Sequence, residues 1–391
     1  MLFSLPIKQE DSELLEFYVY LGSSKPGKWR IEVFFDESVN WFYDLEFPNF
    51  SIYFPIYVDP RCKFWRSIDD SGNIVENGLL PFVLKKKEEL RIFLQHEHNH
   101  NQENNLLILP GLDKFKNIKL VQDGDSAHLV IHTWTGMKPQ DSKVFGRWKQ
   151  KTIMVDFGDH CFVQFFSKYA VYFKRSWSWG NHIRFNYSFF PNVRHLTYCV
   201  KEVDGKTGFD LPQPPDKAID VVCYFNPNPN GDKRERVANN ILSLKEKGHE
   251  VIVGMTSDYQ WPNVYSTISG EYFSQMLESK IIVTCNPAYW EGDFRLYEAV
   301  TAGGVVFCDQ MWMTPPELDD VIEWYDPNDP DDLLERIEKF LSDPHLLKKR
   351  SDELRQRAMS SSMPKNLVSR ILRESSHLFP GVDIDWVLET E

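Results

Sequence analysis

No two of the six cysteines (Cys62, Cys161, Cys199, Cys223, Cys285, Cys308) stand at Cys-x-x-Cys spacing. The chain therefore carries neither a dithiol redox motif nor the paired ligands of a structural zinc site. Cys223, Cys285 and Cys308 each fall inside an apolar, strand-like run and read as small buried hydrophobes, which points to a reducing compartment. No stretch approaches the ~20 apolar residues of a membrane-spanning helix. The N-terminus, MLFSLPIKQEDSELLEF, has acids within its first dozen positions and no long apolar segment, so it makes a poor signal peptide. The expected location is the cytoplasm of the producing cell, or of a host cell if the source is viral. Positive charge is also scarce. Lys and Arg number 44 against 57 Asp and Glu, a formal net charge of -13. That excludes a broad nucleic-acid surface, which needs a basic face to displace counterions. It leaves room for a local basic pocket. There is no internal repeat and no low-complexity tract.

The chain has 391 residues, which suits two domains better than one core. Aromatic residues make up 14%, so rings fill much of the interior. Residues 1–65 alternate apolar and polar positions, as in Trp29-Arg30-Ile31-Glu32-Val33, with Pro48, Pro55 and Pro60 as punctuation. This predicts β-rich, irregular structure. Residues 81–100 run from a helix-like Lys/Glu/Leu stretch into His96-Glu97-His98-Asn99-His100. Alternating histidines can ligate a metal, but the polar NQENN that follows reads as a surface loop. From 106 to 200, apolar runs at 106–109, 129–131, 152–155 and 169–173 predict buried strands. Polar or turn residues end them, including His132, Asp156, Asp159, Lys174 and Arg175. Residues 205–217, GKTGFDLPQPPDK, read as a linker. The expected domains are 1–204, then 218–360, with helices over 361–391.

The second half is the most legible. Strands are expected over 221–225, 251–253, 281–285 and 305–308, alternating with helices at 233–247, around 272–277 and at 294–302. That alternation means βαβ units and a parallel sheet. Asp329 caps a further helix, with Pro330 in its first turn and acids at its positive end.

A parallel sheet binds ligands beyond the carboxyl ends of its strands. Here those ends are 226–231, 286–295 and 309–316, three polar loops on one rim. Glu291 and Glu298 are seven residues apart, two helical turns, so both carboxylates can face one side of the helix start. A carboxylate suits a vicinal diol because its two oxygens accept two hydroxyl protons. Arg295 stands one turn before Glu298, where free helix amides favour anions. On spacing alone a surface Glu–Arg–Glu helix held by neighbouring ion pairs explains the pattern equally well.

The run Thr284-Cys285-Asn286-Pro287-Ala288-Tyr289-Trp290-Glu291-Gly292-Asp293-Phe294-Arg295-Leu296-Tyr297-Glu298-Ala299, followed by Gly303-Gly304-Val305-Val306-Phe307-Cys308-Asp309, resembles the donor-binding lobe of GT-B glycosyltransferases. More narrowly it resembles the glycosyltransferase group 1 and exostosin-like sets. The specific resemblance covers roughly 220–360. It implies an α/β protein with two Rossmann-like lobes facing a cleft, here with the β-rich N-terminal part added. It also implies transfer of a sugar from a nucleotide-diphosphate sugar (UDP-, GDP- or dTDP-linked) to a glycan or other hydroxyl acceptor. In those families the first glutamate touches the donor sugar and the second holds the ribose, roles that fall on Glu291 and Glu298. The gap between the two is one residue shorter here than in group 1 enzymes.

The resemblance further implies that Arg295 and the cluster Lys233, Arg234 and Arg236 face the diphosphate, with Asn226 and Gly292 lining the donor site. On the acceptor side, Asp159 or His132 would take the hydroxyl proton, and Asp156, Lys174 and Arg175 are further candidates. Asp123-Gly124-Asp125 has the spacing of a metal-binding Asp-x-Asp motif but precedes a strand and reads as a turn, so no metal is expected. Two other readings stay open: a non-catalytic glycan-binding or scaffold protein, and a nucleotide-sugar epimerase on the same fold.

Overall fold

The computed structural model describes residues 71, 88–95, 104–134, 148–158, 163, 168–176, 192–225, 233–255, 271–287 and 290–390, with the strands of the first 79 residues. The histidine-rich stretch 96–100, Asp159 and Asn226 lie outside the described residues. The chain divides into two compact units: 1–90 with 373–389, and 91–372 with 390–391.

In the first unit the expected β-rich character holds and extends past residue 65. β1 (Leu2–Phe3), β2 (Ile7–Lys8), β3 (Leu15–Tyr20) and β6 (Tyr53–Val58) make one antiparallel sheet. β4 (Gly27–Phe34), β5 (Val39–Phe47), β7 (Phe64–Ile68) and β8 (Ile74–Leu79) make another, in the order β5-β4-β7-β8.

The second unit contains two sheets. The first has the order β10-β9-β11-β12-β13-β14, from β9 (Leu90–Gln95), β10 (Ile118–Leu120), β11 (Leu129–Trp134), β12 (Thr152–Asp156), β13 (Val171–Lys174) and β14 (Val193–His195). From β9 through β11 to β14 every pairing is parallel. β12 and β13 are buried along their whole length, as strands covered on both faces must be.

Two sequence expectations change here. The stretch at 90–95 is a strand, not the continuation of a helix: Leu90, Ile92 and Leu94 are the buried positions, a period of two. Residues 106–109 are helical rather than a strand, running through the turn at 104–108 into α1 (Leu109–Leu112). A four-residue apolar run has no periodicity to decide between the two, and Pro110 sits comfortably in a first helical turn.

The second sheet is fully parallel, in the order β16-β15-β17-β18-β19, with β15 (Ile219–Phe225), β16 (Val251–Met255), β17 (Ser279–Thr284), β18 (Val305–Asp309) and β19 (Glu323–Tyr325). Side-chain alternation assigns its faces. Val221, Cys223, Ile281, Val283, Val305 and Phe307 share one core with α2 (Lys233–Leu242) and α5 (Pro330–Ser342), through Val237, Ile241, Leu333, Ile337 and Phe340. The alternate position Tyr224 points to the other face. There its ring meets Tyr272 of α3 (Glu271–Leu277), with centroids 5.1 Å apart.

α4 (Phe294–Thr301) connects β17 to β18. The connector at 205–217 is anchored at both ends. Thr207 and Asp210 form a capping box, and Lys217 Nζ donates to the carbonyls of Leu277 and Ala302, where α3 and α4 end. α6 (Pro344–Ser361) and α7 (Pro364–Glu374) then run back along both sheets. Ser351 and Arg355 hold the carbonyls of Gly303 and Phe209, and Arg370 holds that of His195.

Strand order reverses at β15, which pairs β16 on one side and β17 on the other. Open α/β sheets hold ligands at such a switch point, beyond the carboxyl ends of the two strands.

Candidate functional site

The turn between β17 and α4 lies beyond the carboxyl end of β17, at this switch point. Gly292 has φ 81, a left-handed conformation that a side chain disfavours, and this reverses the chain into the helix. Asn286, the second residue after β17, fixes the turn: its Oδ1 accepts from the amides of Gly292 (2.9 Å) and Asp293 (3.4 Å). In turn Asn286 N and Nδ2 both donate to Asp309 Oδ1 at the end of β18, at 2.6 and 2.9 Å. Asp293 caps α4 by accepting from the Arg295 amide at 3.1 Å.

Cations gather on these two carboxylates. Asp293 Oδ2 takes Arg234 Nη2 at 2.7 Å and Arg295 Nη1 at 2.8 Å, and Arg234 Nε also donates to the Cys285 carbonyl at 2.8 Å. Lys233 Nζ reaches Asp309 Oδ2 at 2.6 Å. Burial pulls the pKa of Asp293 up, but Arg295 and Arg234 outweigh it and hold it below the usual carboxylate range. Burial pulls Lys233 down, but Asp309 outweighs it and raises the ammonium. Three basic side chains thus meet two acidic ones at the start of a helix whose amides favour anions. Arg236, on the exposed side of α2, reaches Asn328 Oδ1 at 3.3 Å instead.

The two glutamates are both buried, and each carboxylate is held. Glu291 accepts from the amides of Trp312 (2.7 Å) and Met313 (3.1 Å), tying the turn to the loop after β18. Burial pushes its carboxyl up to about 7, despite those two amides. Because the folded-state pKa exceeds the unfolded one, the folded protein binds the extra proton between about 4.5 and 7. Its stability contribution is full below about 4.5 and is lost as pH rises through about 7. Denaturation between pH 5 and 8 is expected to show this slope, amounting in all to roughly 3 kcal/mol at most, and Glu291→Gln is expected to flatten it. An unchanged slope in the variant would assign the effect elsewhere.

Glu298, on α4, takes Lys201 Nζ on Oε1 at 2.6 Å and the Tyr272 hydroxyl on Oε2. Burial, then the neighbouring Glu298 carboxylate, raise Tyr272 well above its ordinary value, so it stays a donor. Glu298 thus joins α4, α3 and the segment after β14.

The candidates on the first sheet form a second buried cluster. Asp156 is fully buried at the end of β12: Oδ2 accepts from the Tyr172 hydroxyl (2.5 Å) and pairs with Lys174 Nζ (3.1 Å), while Oδ1 takes the Gly158 amide (2.8 Å). His132 is buried in β11 with Nδ1 3.1 Å from the Tyr169 hydroxyl, and burial lowers its pKa to about 4, so it is neutral at physiological pH. Arg175 leaves this cluster for the other sheet. Its guanidinium donates to the Phe157 carbonyl (Nε 3.1 Å, Nη2 2.7 Å) and, through Nη1, to the carbonyls of Gly292 (2.7 Å) and Glu291 (3.3 Å).

Several residues of the site escape sequence reasoning. Asn286, Asp293 and Asp309 lie inside the rim loops that the strand ends mark, but nothing in the spacing singles them out. Lys201 and Tyr272 come from an irregular segment and from a different helix, and only the folded chain brings them to Glu298. Among the described residues no group of three or more His, Cys, Asp or Glu side chains is placed to hold a metal ion, and no helix is long and apolar enough to cross a membrane.

No family model matches the chain, and no curated protein matches it. Among solved structures the chain is similar to TarM (12% identity, 96% of this chain and 79% of that one, TM-score 0.44). It is also similar to a glycosyltransferase from Rickettsia africae ESF-5 (12% identity, 75% and 99%, TM-score 0.47). A third is an alpha-glucosyltransferase in complex with UDP and a 13-mer DNA containing a HMU base (11% identity, 75% and 100%, TM-score 0.44). At these values the likeness is one of general outline.

Proposed function

We propose that this chain is a glycosyltransferase of the GT-B type, which moves a sugar from a nucleotide-diphosphate sugar to a glycan or other hydroxyl acceptor. The observation that carries the proposal is the convergence of Arg234 and Arg295 on Asp293 at the N-terminus of α4, at the switch point of a parallel sheet. Paired guanidiniums beside helix amides suit a diphosphate, and they stabilise the charge that appears on it as the sugar leaves. With Lys233 alongside, the cluster supplies this charge from side chains, and we propose that turnover needs no metal. Glu298 is the candidate for the ribose diol: Lys201 and Tyr272 each occupy one site on a carboxylate oxygen, and a carboxylate has about four such sites. The acceptor hydroxyl would approach from the first sheet, where His132 is a candidate base and Asp156 and Lys174 order the strand ends; Asp159, outside the described residues, is the other candidate base. The cytoplasm is the proposed place of action.

Screening UDP-, GDP- and dTDP-sugars by thermal denaturation tests the proposal. One of them is expected to raise the midpoint in a dose-dependent way, since a ligand of the native state stabilises by mass action. If none does, at concentrations to several millimolar, the proposal fails. A second reading, a glycan-binding protein without turnover, draws support from the carboxylates of Glu291 and Glu298, both already engaged in holding the fold. Acceptor-dependent release of the nucleoside diphosphate separates the two.

A further inference from the structure

Arg175 is almost wholly buried, at 1% exposure, although it follows the last residue of a strand. Burying a guanidinium is costly unless its donors are satisfied. Here it lies against the rings of Tyr198 (4.5 Å) and Trp290 (4.8 Å), and it donates to the backbone carbonyls of Phe157, Glu291 and Gly292. Those carbonyls belong to two different sheets. Phe157 follows β12 of the first sheet, one residue beyond Asp156, and Glu291 and Gly292 form the turn into α4 of the second.

The backbone of Arg175 reinforces the link: its amide donates to the Asp156 carbonyl at 3.0 Å, and the next residue, Ser176, accepts the Glu291 amide on Oγ at 3.2 Å. Packing continues around it. Phe157 stacks on Tyr198 at 5.4 Å with the planes 7° apart, and Tyr198 meets Phe294, the first residue of α4, at 4.5 Å. One side chain thus holds the strand ends of the proposed acceptor side and the turn of the proposed donor side in a single arrangement.

We propose that Arg175 is a positioning residue that sets the conformation of the Glu291–Asp293 turn from the first sheet, so that the donor turn is ordered only while the two strand-end regions are engaged. The inference rests on the donor reading of that turn for its functional meaning. The coupling itself does not depend on any nucleotide. A planar fork is required: only a guanidinium can reach the Phe157 and Gly292 carbonyls together, and a lysine ammonium is a single point donor.

Hydrogen–deuterium exchange on the full chain tests the coupling, comparing wild type, Arg175→Lys and Arg175→Ala. Amides of the 290–297 segment are expected to exchange at least about tenfold faster in both variants, while those of β15 and of α5, away from the contact, stay within about twofold. Guanidinium chloride at a few millimolar is expected to restore slow exchange to the alanine variant and not to the lysine variant. If Arg175→Ala does not fold, Arg175→Lys carries the test alone. Wild-type exchange at 290–297 in either folded variant overturns the proposal, and so does an increase spread evenly over the second sheet. In a second arm, Arg175→Lys is titrated with whichever nucleotide sugar stabilises the wild type, and affinity is expected to fall about three- to tenfold. An exchange change without an affinity change would keep the coupling and refute the donor reading of the turn.

Discussion

Replacing Glu298 with alanine is expected to cost the fold about 3–5 kcal/mol, the range for removing one partner of a buried ion pair. The substitution leaves the Lys201 ammonium, 7% exposed in its side chain, without its carboxylate and takes the acceptor from the Tyr272 hydroxyl. It also unfastens α4 from α3 and from the segment after β14. Glu298→Gln keeps an acceptor for Tyr272 and loses only the charge, so a smaller loss is expected. The double substitution Glu298→Leu with Lys201→Met is expected to cost less than the sum of its parts, because no charge then stays buried unpaired. Urea denaturation with an unchanged slope measures all three. A loss below about 1 kcal/mol for Glu298→Ala would mean the pair behaves as an exposed one.

The second large effect concerns ligand affinity. Arg234→Met is expected to weaken binding of the stabilising nucleoside diphosphate about 10- to 100-fold, the equivalent of roughly 1.5–3 kcal/mol for a lost charge-assisted hydrogen bond. Arg234→Lys is expected to fall between the two, since it restores the charge without the fork that spans the Cys285 carbonyl and Asp293. Arg236→Ala, on the exposed side of the same helix, is the comparison and is expected to change affinity by less than about twofold. Calorimetric titration decides the matter. Equal affinities for the Arg234 and Arg236 variants would move the diphosphate away from α4.

The second sheet was legible because its elements are long and each ends in its own chemical punctuation. Gly248, with φ 91, closes the helical turn that follows α2, at the end of the helix expected over 233–247. Asp329 accepts from the Asp332 amide at the start of α5 as its position before Pro330 implies. The first sheet was less legible. Its strands are short, and at 106–109 an apolar run too short to show a period is helical. At 90–95 the alternation of Leu90, Ile92 and Leu94 was present but hidden behind the Lys/Glu run that precedes it.

The site divides in the same way. The strand ends marked the loops at 286–295 and 309–316, helical spacing named Arg295 and Glu298, and Arg234 came only with the family resemblance. Their partners did not follow. A cation beside a helix start reads the same whether it meets solvent, a phosphate or a carboxylate, and the same holds for Arg175: its place at a strand end made it an acceptor-side candidate without showing that its fork reaches three backbone carbonyls.

By itself the sequence determined the parallel sheet and its order of strands and helices, because periodicity, caps and turn residues act over a few positions along the chain. The tertiary structure alone decided which buried charges face one another: Lys201 with Glu298, Arg234 with Asp293, Arg175 with the carbonyls of another sheet. Those pairings join residues 59 to 117 positions apart, brought together by how the sheets and helices pack, and no local pattern encodes them.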